Sequence, residues 1–260
     1  MSTPGFVALI PARLASTRLP DKPLADIHGE PMVVHVARQA QASGARRVAV
    51  ATESERIARA VEACGFAAVM TRADHVSGTD RLAEAVTQLG LADTEIVVNV
   101  QGDEPLIPPR LIADVARCLE RSAGCEMATA AHPIETHADW MSPHVVKVVM
   151  NQAGEALYFS RAPIPFARDA LAGFPVSTHT AAPPPGAILR HIGLYAYRAG
   201  FLRRYSTLPV SPLEQLESLE QLRVLWHGIR IAVLTTPDAP PAGVDTPADL
   251  ERVRLQLNRP

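Results

Sequence analysis

The stretch Phe6-Val-Ala-Leu-Ile-Pro-Ala-Arg-Leu-Ala-Ser-Thr-Arg-Leu-Pro-Asp-Lys-Pro-Leu24 joins an apolar run to a basic loop that is rich in proline. The run Phe6–Ile10 predicts a buried strand. The prolines that follow disfavour a helix, because proline lacks the backbone N–H and restricts the residue before it. The loop therefore presents cations and small hydroxyl groups just beyond a strand's carboxyl end, where open α/β sheets bind ligands. These side chains are Arg13, Ser16, Thr17, Arg18 and Lys22.

The basic loop favours polyphosphate binding, since guanidinium and ammonium groups pair strongly with phosphate oxygens. Two commoner phosphate loops are excluded: the sequence has no Gly-x-x-x-x-Gly-Lys-Ser/Thr, and no Gly-x-Gly-x-x-Gly follows the first strand. A solvated basic loop is the alternative interpretation. The chain contains only two lysines, Lys22 and Lys147, and a lysine kept between Asp21 and Pro23 favours contact between a compact ammonium and phosphate.

Composition narrows the functional class. Apolar residues make up 47 % of the 260 residues, as in a globular protein, and the formal net charge of −2 argues against a nucleic-acid binder with a broad basic face. No apolar run approaches the ~20 residues of a membrane span, and the N-terminus lacks the pattern of a signal peptide. Three cysteines without a Cys-x-x-Cys motif predict reduced thiols and no zinc site. We therefore expect a cytoplasmic protein with neither nucleic-acid nor membrane partners.

The first 120 residues alternate strand and helix signals, which predicts an α/β fold with a mostly parallel, Rossmann-like sheet covered by helices on both faces. The predicted strands are Phe6–Ile10, Arg47–Ala51, Ala67–Met70 and Glu95–Val100. The predicted helices are Pro31–Ser43, a helix from a Ser54 cap to Cys64, Asp80–Leu89 with a Thr79 cap, and Pro108–Arg121.

Strand signals dominate between about residues 125 and 200, and we interpret this region as a smaller β-rich extension within a single domain spanning residues 1–260. The predicted strands are Met127–His132, Val145–Met150, Ala156–Ser160 and Ile188–Tyr197, with a hairpin turn at Asn151–Gly154 and a proline-rich loop at Ala181–Gly186. Helices at Ser211–His227 and Pro247–Asn258 then flank a strand at Arg230–Leu234.

A second cluster, Gln101-Gly-Asp-Glu-Pro105, follows the strand that ends at Val100. It places Asp103 at the strand's carboxyl end, and Gly102 would let a ligand approach the backbone. An aspartate in this position is also a common turn former. Asp245 lies just before a predicted cap of the last helix, in which Thr246 and Asp249 form a capping box that does not need Asp245. Two free carboxylates near a polyphosphate loop are suitable ligands for Mg²⁺.

Seven motifs, in order along almost the whole chain, resemble those of the 3-deoxy-manno-octulosonate cytidylyltransferases, the CMP-Kdo synthetases. They are Ile10–Leu24, Ser77–Arg81, Gln101–Pro105, Ser160-Arg161, His191–Tyr195, Pro212–Gln215 and Gly243–Pro247. The resemblance implies transfer of CMP from CTP to the anomeric hydroxyl of 3-deoxy-D-manno-octulosonate (Kdo), with release of pyrophosphate. It also implies that the product is the activated sugar for lipopolysaccharide biosynthesis.

The resemblance also implies roles for individual residues. The CTP phosphates are expected to contact Arg13, Ser16, Arg18 and Lys22. The nucleotide is expected to lie beside Arg72, Ser77, Gly78 and Arg81, with Arg72 reading the cytosine edge. Asp103 and Asp245 are expected to ligate Mg²⁺. Kdo is expected to contact Gln101, Arg161, His191, Tyr195, Glu214 and Gln215, with Arg161 pairing with its carboxylate.

Two of these residues have a structural alternative. Ser211-Pro-Leu-Glu214 is itself a capping box, so Glu214 can serve as a helix cap instead of a sugar ligand. His191 lies in an apolar strand, where a hydrogen-bonded core histidine is the usual occupant. Only the resemblance favours a ligand role for it.

The predicted reaction is an in-line displacement at the α-phosphorus of CTP, in which Lys22, Arg13 and Mg²⁺ stabilise negative charge. Three other functions are weighed: a cytidylyltransferase for another acidic sugar such as sialic acid, a non-catalytic nucleotide-sensing module, and a nicotinamide-dependent dehydrogenase. The complete set of charged site residues argues against the sensor, and the missing glycine fingerprint argues against the dehydrogenase. The resemblance finally implies a homodimer, formed through the mid-chain extension around residues 160–200.

Overall fold

The computed structural model describes residues 5–15, 18–168 and 186–257. Two compact units divide the chain. The first contains the chain up to Arg121, the segment Leu194–Thr207 and the residues from Pro240 onward; the second contains Ser122–Gly193 and Leu208–Ala239. In the described part of the chain, no helix combines the length and the apolar character needed to cross a membrane.

The first unit is built on a parallel sheet. Strands β1 (Val7–Ala12), β4 (Arg47–Thr52), β5 (Ala67–Met70) and β6 (Ile96–Asn99) lie in the order β5-β4-β1-β6. The residues of β1 are nearly all buried, as expected from the continuous apolar run. The second half of β10 (Leu189–Arg198) pairs antiparallel with β6, with Tyr195 opposite Asn99. The carboxyl ends of β1, β4 and β6 thus meet at one edge.

Helices and a small hairpin complete the first unit. The helices are α1 (Met32–Ala42), α2 (Glu55–Ala63), α3 (Gly78–Gln88), α4 (Pro109–Arg121), α6 (Ala199–Tyr205) and α9 (Pro247–Leu257). A short 3₁₀ helix, Lys22–Leu24, precedes the hairpin of β2 (Asp26–Ile27) and β3 (Glu30–Pro31). Ile27, Met32 and Val253 are completely buried in a shared apolar cluster that packs α9 beneath this hairpin.

The second unit contains two sets of strands. Strand β7 (Met127–Pro133) pairs in parallel with β11 (Ile231–Thr235) and also neighbours β10. Strands β8 (Lys147–Met150) and β9 (Ala156–Ser160) form an antiparallel hairpin, whose predicted turn is confirmed by the hydrogen bond from Gly154 N to Asn151 O. The helices of this unit are α5 (His137–Met141), α7 (Pro212–Glu217) and α8 (Gln221–Trp226). The predicted α/β class is confirmed.

The structure corrects two predictions about helices. Helix α3 begins at Gly78, not at Asp80, because Ser77 and not Thr79 caps it by accepting a hydrogen bond from Asp80 N. The single helix predicted over Ser211–His227 is two helices, α7 and α8, because Ser218 has a left-handed backbone with φ of 52°. The hairpin β2–β3 and the helices α5 and α6 were not predicted. The proline-rich loop predicted at Ala181–Gly186 lies outside the described residues as far as Pro185.

Candidate functional site

The basic loop leaves the sheet directly after Ala12, where β1 ends. Arg13 and Arg18 are exposed, and Ser16 and Thr17 lie outside the described residues. The loop then turns back into the 3₁₀ helix, which begins at Lys22. Prolines bracket this turn, and the Asp21 carboxylate pairs with Arg56 at 2.8 Å. The predicted placement of cations beyond a strand end is therefore confirmed for the described residues.

Lys22 is the centre of the charged cluster in the first unit. Its ammonium lies 2.6 Å from Asp103 Oδ2 and 3.1 Å from Asp245 Oδ1, and it donates a third hydrogen bond to Val244 O at 3.0 Å. The Lys22 side chain is largely buried, whereas the two carboxylates remain partly open to solvent. Arg18 adds a second cation, 3.1 Å from Asp245 Oδ1. The two aspartates, far apart in the sequence, thus meet around one cation.

Two glycines allow the Asp103 segment to pack against its neighbours. A Cβ atom on Gly102 would lie 2.9 Å from Pro11 O, which is closer than real Cβ contacts occur. A Cβ atom on Gly243 would lie 3.0 Å from Asp103 O. Gly102 was predicted to make room for a ligand. The structure gives this glycine a packing role, because the atom that approaches it is the main-chain oxygen of Pro11, and the ligand contact stays a prediction.

Asp245 is held by the first turn of helix α9. The predicted capping box is confirmed: Asp249 N donates to Thr246 Oγ1, and Thr246 N donates to Asp249 Oδ2. Asp249 Oδ2 also accepts from Asp245 N at 3.2 Å. Hydrogen bonds from Thr246 and Arg252 hold the pKa of the Asp249 carboxyl well below its usual range. The main chain that carries Asp245 is thereby fixed.

The donor set of this cluster fits a divalent cation. Two carboxylates already share a positive group, and Mg²⁺ is commonly bound by one or two carboxylates together with substrate phosphates and water. Within residues 5–15, 18–168 and 186–257, no group of three or more His, Cys, Asp or Glu side chains converges as a metal site. Asp103 and Asp245 could therefore hold the ion only with oxygens from substrate or water.

The four residues predicted to flank the nucleotide lie around the start of α3. Ser77 is the helix cap. Gly78 packs against Pro11, since a Cβ atom on Gly78 would lie 3.4 Å from Pro11 Cγ. Arg72 is exposed, pairs with Asp74 at 2.9 Å and lines an open cleft of about 480 Å³. Arg81 is buried and does not point to an open surface.

Arg81 has a partner that the sequence analysis did not identify. Its Nη2 atom lies 2.7 Å from Glu53 Oε2, and its Nη1 atom donates to Thr71 Oγ1 at 2.6 Å. Glu53 Oε1 in turn accepts from Leu14 N, in the basic loop, at 3.2 Å. Glu53 follows β4 and precedes the Ser54 cap of α2, so its sequence context indicates only the start of a helix.

Arg161, in the second unit, donates its guanidinium hydrogen bonds to main-chain oxygens. Nε donates to Glu217 O at 2.7 Å, Nη1 to Pro143 O at 3.0 Å and Nη2 to Ser218 O at 3.4 Å. The Glu217 carboxylate closes the same corner, because it accepts from Ser160 Oγ and from Arg161 N. The pairing of Arg161 with a sugar carboxylate stays a prediction.

His191 has the contacts of a core histidine. Its Nε2 atom lies 3.0 Å from Thr129 Oγ1, and its ring packs edge-on against Phe159 with centroids 4.9 Å apart. Burial lowers the pKa of the imidazole to about 3, so the ring is neutral at physiological pH. The structural alternative for His191 is thus supported, while its contact with sugar stays a prediction.

Glu214 forms the predicted capping box with Ser211. Both of its carboxylate oxygens also face Arg223: Oε2 accepts from Nε at 2.7 Å, and Oε1 accepts from Nη2 at 2.5 Å. The capping role is therefore confirmed, and a sugar hydroxyl would have to share oxygens that are already engaged. Gln215, one residue further, is exposed.

The last two residues predicted to contact Kdo belong to the first unit. Gln101 is half-buried just after β6, and its carbonyl accepts a hydrogen bond from Glu104 N. Tyr195 is half-buried on β10 beside Tyr197. The predicted sugar residues are thus divided between the units, with Arg161, His191, Glu214 and Gln215 in the second.

Comparisons with known proteins identify similar sequences. The cytidylyltransferase family model matches residues 7–231. The chain is 62 % identical over 254 residues to the 3-deoxy-manno-octulosonate cytidylyltransferases of Acidovorax sp. (strain JS42) and Acidovorax ebreus (strain TPSY), covering 97 % of each protein.

Solved structures are also similar to this chain over almost its whole length. CMP:2-keto-3-deoxy-manno-octonic acid synthetase complexed with CTP is 44 % identical, with a TM-score of 0.86 over 97 % of this chain and 98 % of that one. The similarity to 4-diphosphocytidyl-2C-methyl-D-erythritol synthase, with 15 % identity and a TM-score of 0.62 over 99 % of this chain and 100 % of that one, concerns the fold alone.

Proposed function

The chain belongs to the family of the 3-deoxy-manno-octulosonate cytidylyltransferases, and we infer that it transfers CMP from CTP to the anomeric hydroxyl of Kdo and releases pyrophosphate. Family membership rests on 62 % identity over 97 % of the chain. The structural observation that carries the chemistry is the convergence of Lys22, Asp103 and Asp245 next to Arg18. This cluster combines two cations for a triphosphate, the exposed Arg18 and the largely buried Lys22, with carboxylates for a divalent cation.

We assign the triphosphate to the basic loop. Arg13 and Arg18 are exposed, so their guanidinium groups are available to solvent and ligand. Lys22 lies at the base of the loop, where its ammonium can stabilise the negative charge that develops on the phosphates. Ser16, the fourth proposed phosphate contact, lies outside the described residues.

Asp103 and Asp245 are the residues that would hold Mg²⁺. When bound there, the ion would supply a positive charge that neutralises phosphate oxygens and lowers the energy of the developing negative charge. Asp249 and Arg252 contribute indirectly: Asp249 accepts from the main-chain N–H groups of Asp245 and Thr246, and Arg252 donates to Gly243 O. The site requires this rigidity, since a displacement of about 1 Å is enough to lower the rate strongly.

The reaction is an in-line displacement. The anomeric oxygen forms a bond to the α-phosphorus, the bond from that phosphorus to its bridging oxygen breaks, and pyrophosphate leaves with the electron pair. The hydroxyl proton passes to solvent water as the new bond forms, so the products are CMP-Kdo, pyrophosphate and one proton. Arg13, Arg18 and Lys22 hold the triphosphate, and Lys22 and Arg13 stabilise the charge that moves onto the leaving group.

The remaining contacts are proposals that rest on the family's motifs. Arg72, Ser77 and Gly78 are proposed to flank the nucleotide, with Arg72 exposed and available to the cytosine edge. Arg81 is buried against Glu53, so we propose that it supports this region from beneath. The proposed Kdo contacts are Gln101, Arg161, His191, Tyr195, Glu214 and Gln215.

Three further properties are proposed from the resemblance. CMP-Kdo is an activated sugar, so the enzyme would supply lipopolysaccharide biosynthesis and would work in the cytoplasm, where CTP is made. We also propose that the chain forms a homodimer through the region around residues 160–200. Part of that region, residues 169–185, lies outside the described chain.

The function is tested by incubating the purified protein with CTP, Mg²⁺ and Kdo while following pyrophosphate release. Mass spectrometry should identify CMP-Kdo. A parallel reaction with sialic acid distinguishes the nearest alternative, since the two acidic sugars differ in length and substituents. Pyrophosphate release with sialic acid and none with Kdo would contradict the proposed substrate, and release with neither sugar would contradict the function.

A further inference from the structure

The side chain of Glu53 lies where two parallel strands end together. Strand β4 ends at Thr52, which is paired with Ala12 at the end of β1. Glu53 and Arg13 are the next residues of the two strands, so they leave the sheet at the same edge. Glu53 is therefore positioned to contact the basic loop as that loop begins.

Glu53 connects this loop to the interior of the first unit. One carboxylate oxygen, Oε1, accepts from Leu14 N at 3.2 Å. The other, Oε2, lies 2.7 Å from Arg81 Nη2. Leu14 is the residue after Arg13, so the direction of its N–H is coupled to the course of the main chain that carries the phosphate-binding arginines.

Arg81 restricts where the Glu53 carboxylate can be. Its side chain is only 5 % exposed, and a buried guanidinium is costly unless a carboxylate neutralises it. The hydrogen bond from Arg81 Nη1 to Thr71 Oγ1 fixes the guanidinium from its other side. Glu53 is thus held between a fixed cation and the loop, and it cannot move without leaving one of them unpaired.

We propose that Glu53 is a positioning residue for CTP, which orients the basic loop through Leu14 N while Arg81 acts as its buried counter-ion. The inference rests on the proposed function, because the loop is taken to bind the triphosphate. It assigns Arg81 a different task from the nucleotide contact implied by the resemblance. The role is specific to CTP, since neither contact involves a residue proposed to bind Kdo.

The test compares E53A and E53Q with the wild type by isothermal titration of CTP and by steady-state kinetics. E53A removes the acceptor of Leu14 N, and we expect CTP to bind about tenfold more weakly. We expect E53Q to lie between E53A and the wild type, because its amide oxygen can still accept from Leu14 N. The KM for Kdo should remain unchanged in both variants.

The matched control is E55A, two residues along the chain. Glu55 is exposed and pairs with Arg59 on the surface of α2, so E55A should leave CTP affinity unchanged. Circular dichroism establishes that each variant is folded. If E53A does not fold, E53Q decides the question.

An unchanged CTP affinity in folded E53A or, failing that, in E53Q would overturn the positioning role. Equal losses for CTP and Kdo would also overturn it, because they indicate a general loss of structure. If the wild type itself fails to bind CTP, the proposed function fails together with this inference. Wild-type binding with unaffected variants contradicts the inference alone.

Discussion

Lys22 shows how a single residue can serve a site before its ligands arrive. Its ammonium satisfies two carboxylates that would otherwise repel each other across a short distance. Both Asp103 and Asp245 are partly exposed, so the same oxygens are accessible to a divalent cation. Asp103 and Asp245 would hold Mg²⁺ through these oxygens, and the Lys22 ammonium would then be available to phosphate.

This arrangement predicts that Lys22 and Mg²⁺ compete for the carboxylates. In K22M the two aspartates lack their shared cation, so the melting temperature should fall without metal. Millimolar Mg²⁺ without nucleotide should raise the melting temperature of K22M more than that of the wild type, since binding to the folded state stabilises it. Thermal unfolding followed by circular dichroism measures both shifts.

The double variant K22M/D245N serves as the control, because it removes one of the two carboxylates. It should lose the extra response to Mg²⁺. Equal responses of K22M and the wild type would contradict competition between Lys22 and the metal at these carboxylates.

Replacing Asp103 tests the chemistry directly. D103N keeps the shape of the side chain but removes the charge that faces Lys22, so kcat should fall roughly 100-fold or more while the protein remains folded. Pyrophosphate release at saturating CTP, Kdo and Mg²⁺ gives kcat. D114N is a suitable control, because Asp114 pairs with arginines on the surface of α4. Unchanged turnover of D103N would remove the proposed metal role.

At the scale of elements, the break between helices α7 and α8 organises the corner around Arg161. Ser218 adopts a left-handed conformation, and the carbonyls of Glu217 and Ser218 accept from the Arg161 guanidinium. A continuous helix would use those carbonyls for its own hydrogen bonds. The break therefore creates acceptors that a regular helix does not offer.

The cap of α7 gives a prediction about stability. Ser211 accepts from Glu214 N, so S211A should lower the free energy of unfolding by about 1 kcal/mol. Chemical denaturation measures this change. S206A is the control, since Ser206 is exposed and follows α6 without capping a helix N-terminus. Equal stability of S211A and the wild type would mean that Arg223 alone fixes the start of α7.

The start of β8 gives a prediction about pH. Lys147 is completely buried, and its ammonium donates to Ser142 O, Val145 O and Arg161 O. Burial lowers the pKa of this amine to about 8 from a usual value of 10.5. Between these two pH values the unfolded chain binds a proton that the folded chain has released. The free energy of unfolding should therefore rise with pH in that window.

The measurement compares the wild type with K147M by chemical denaturation at several pH values. The difference in unfolding free energy should move in favour of the wild type by roughly 3 kcal/mol as the pH rises through the window. Below about pH 8 the difference should be constant. A difference that is independent of pH throughout would contradict the lowered pKa of Lys147.

At the scale of the whole molecule, charge is arranged locally, since the formal net charge is only −2. The proposed ligands contact a local cluster of cations and carboxylates in the first unit, not a broadly charged surface.

The predicted homodimer is also a property of the whole molecule. Light scattering after size-exclusion chromatography should give twice the chain mass of 27.9 kDa. A mass equal to one chain across a range of concentrations would contradict the dimer.

The sequence by itself determined the α/β class and most strand positions, and it singled out Asp103 and Asp245 as candidate metal ligands. These features depend on local patterns: continuous apolar runs, capping residues and charges directly after strands. Ser54 and Thr246 cap their helices as predicted, because a cap is a contact between residues three positions apart. The reaction was predicted from the seven motifs that resemble those of the 3-deoxy-manno-octulosonate cytidylyltransferases.

Only the tertiary structure decided which charges meet. Glu53 and Arg81, or Lys22 and Asp245, are far apart in the sequence, and no local pattern indicates that they pair. Likewise, the carbonyl oxygen of Pro11 on a neighbouring strand occupies the space that a side chain at Gly102 would need. Such contacts depend on strand register and on packing distances, whereas local propensities depend on a few adjacent residues. Packing in the interior therefore pairs Arg81 with Glu53, although the motif that contains Arg81 implied a contact with the nucleotide.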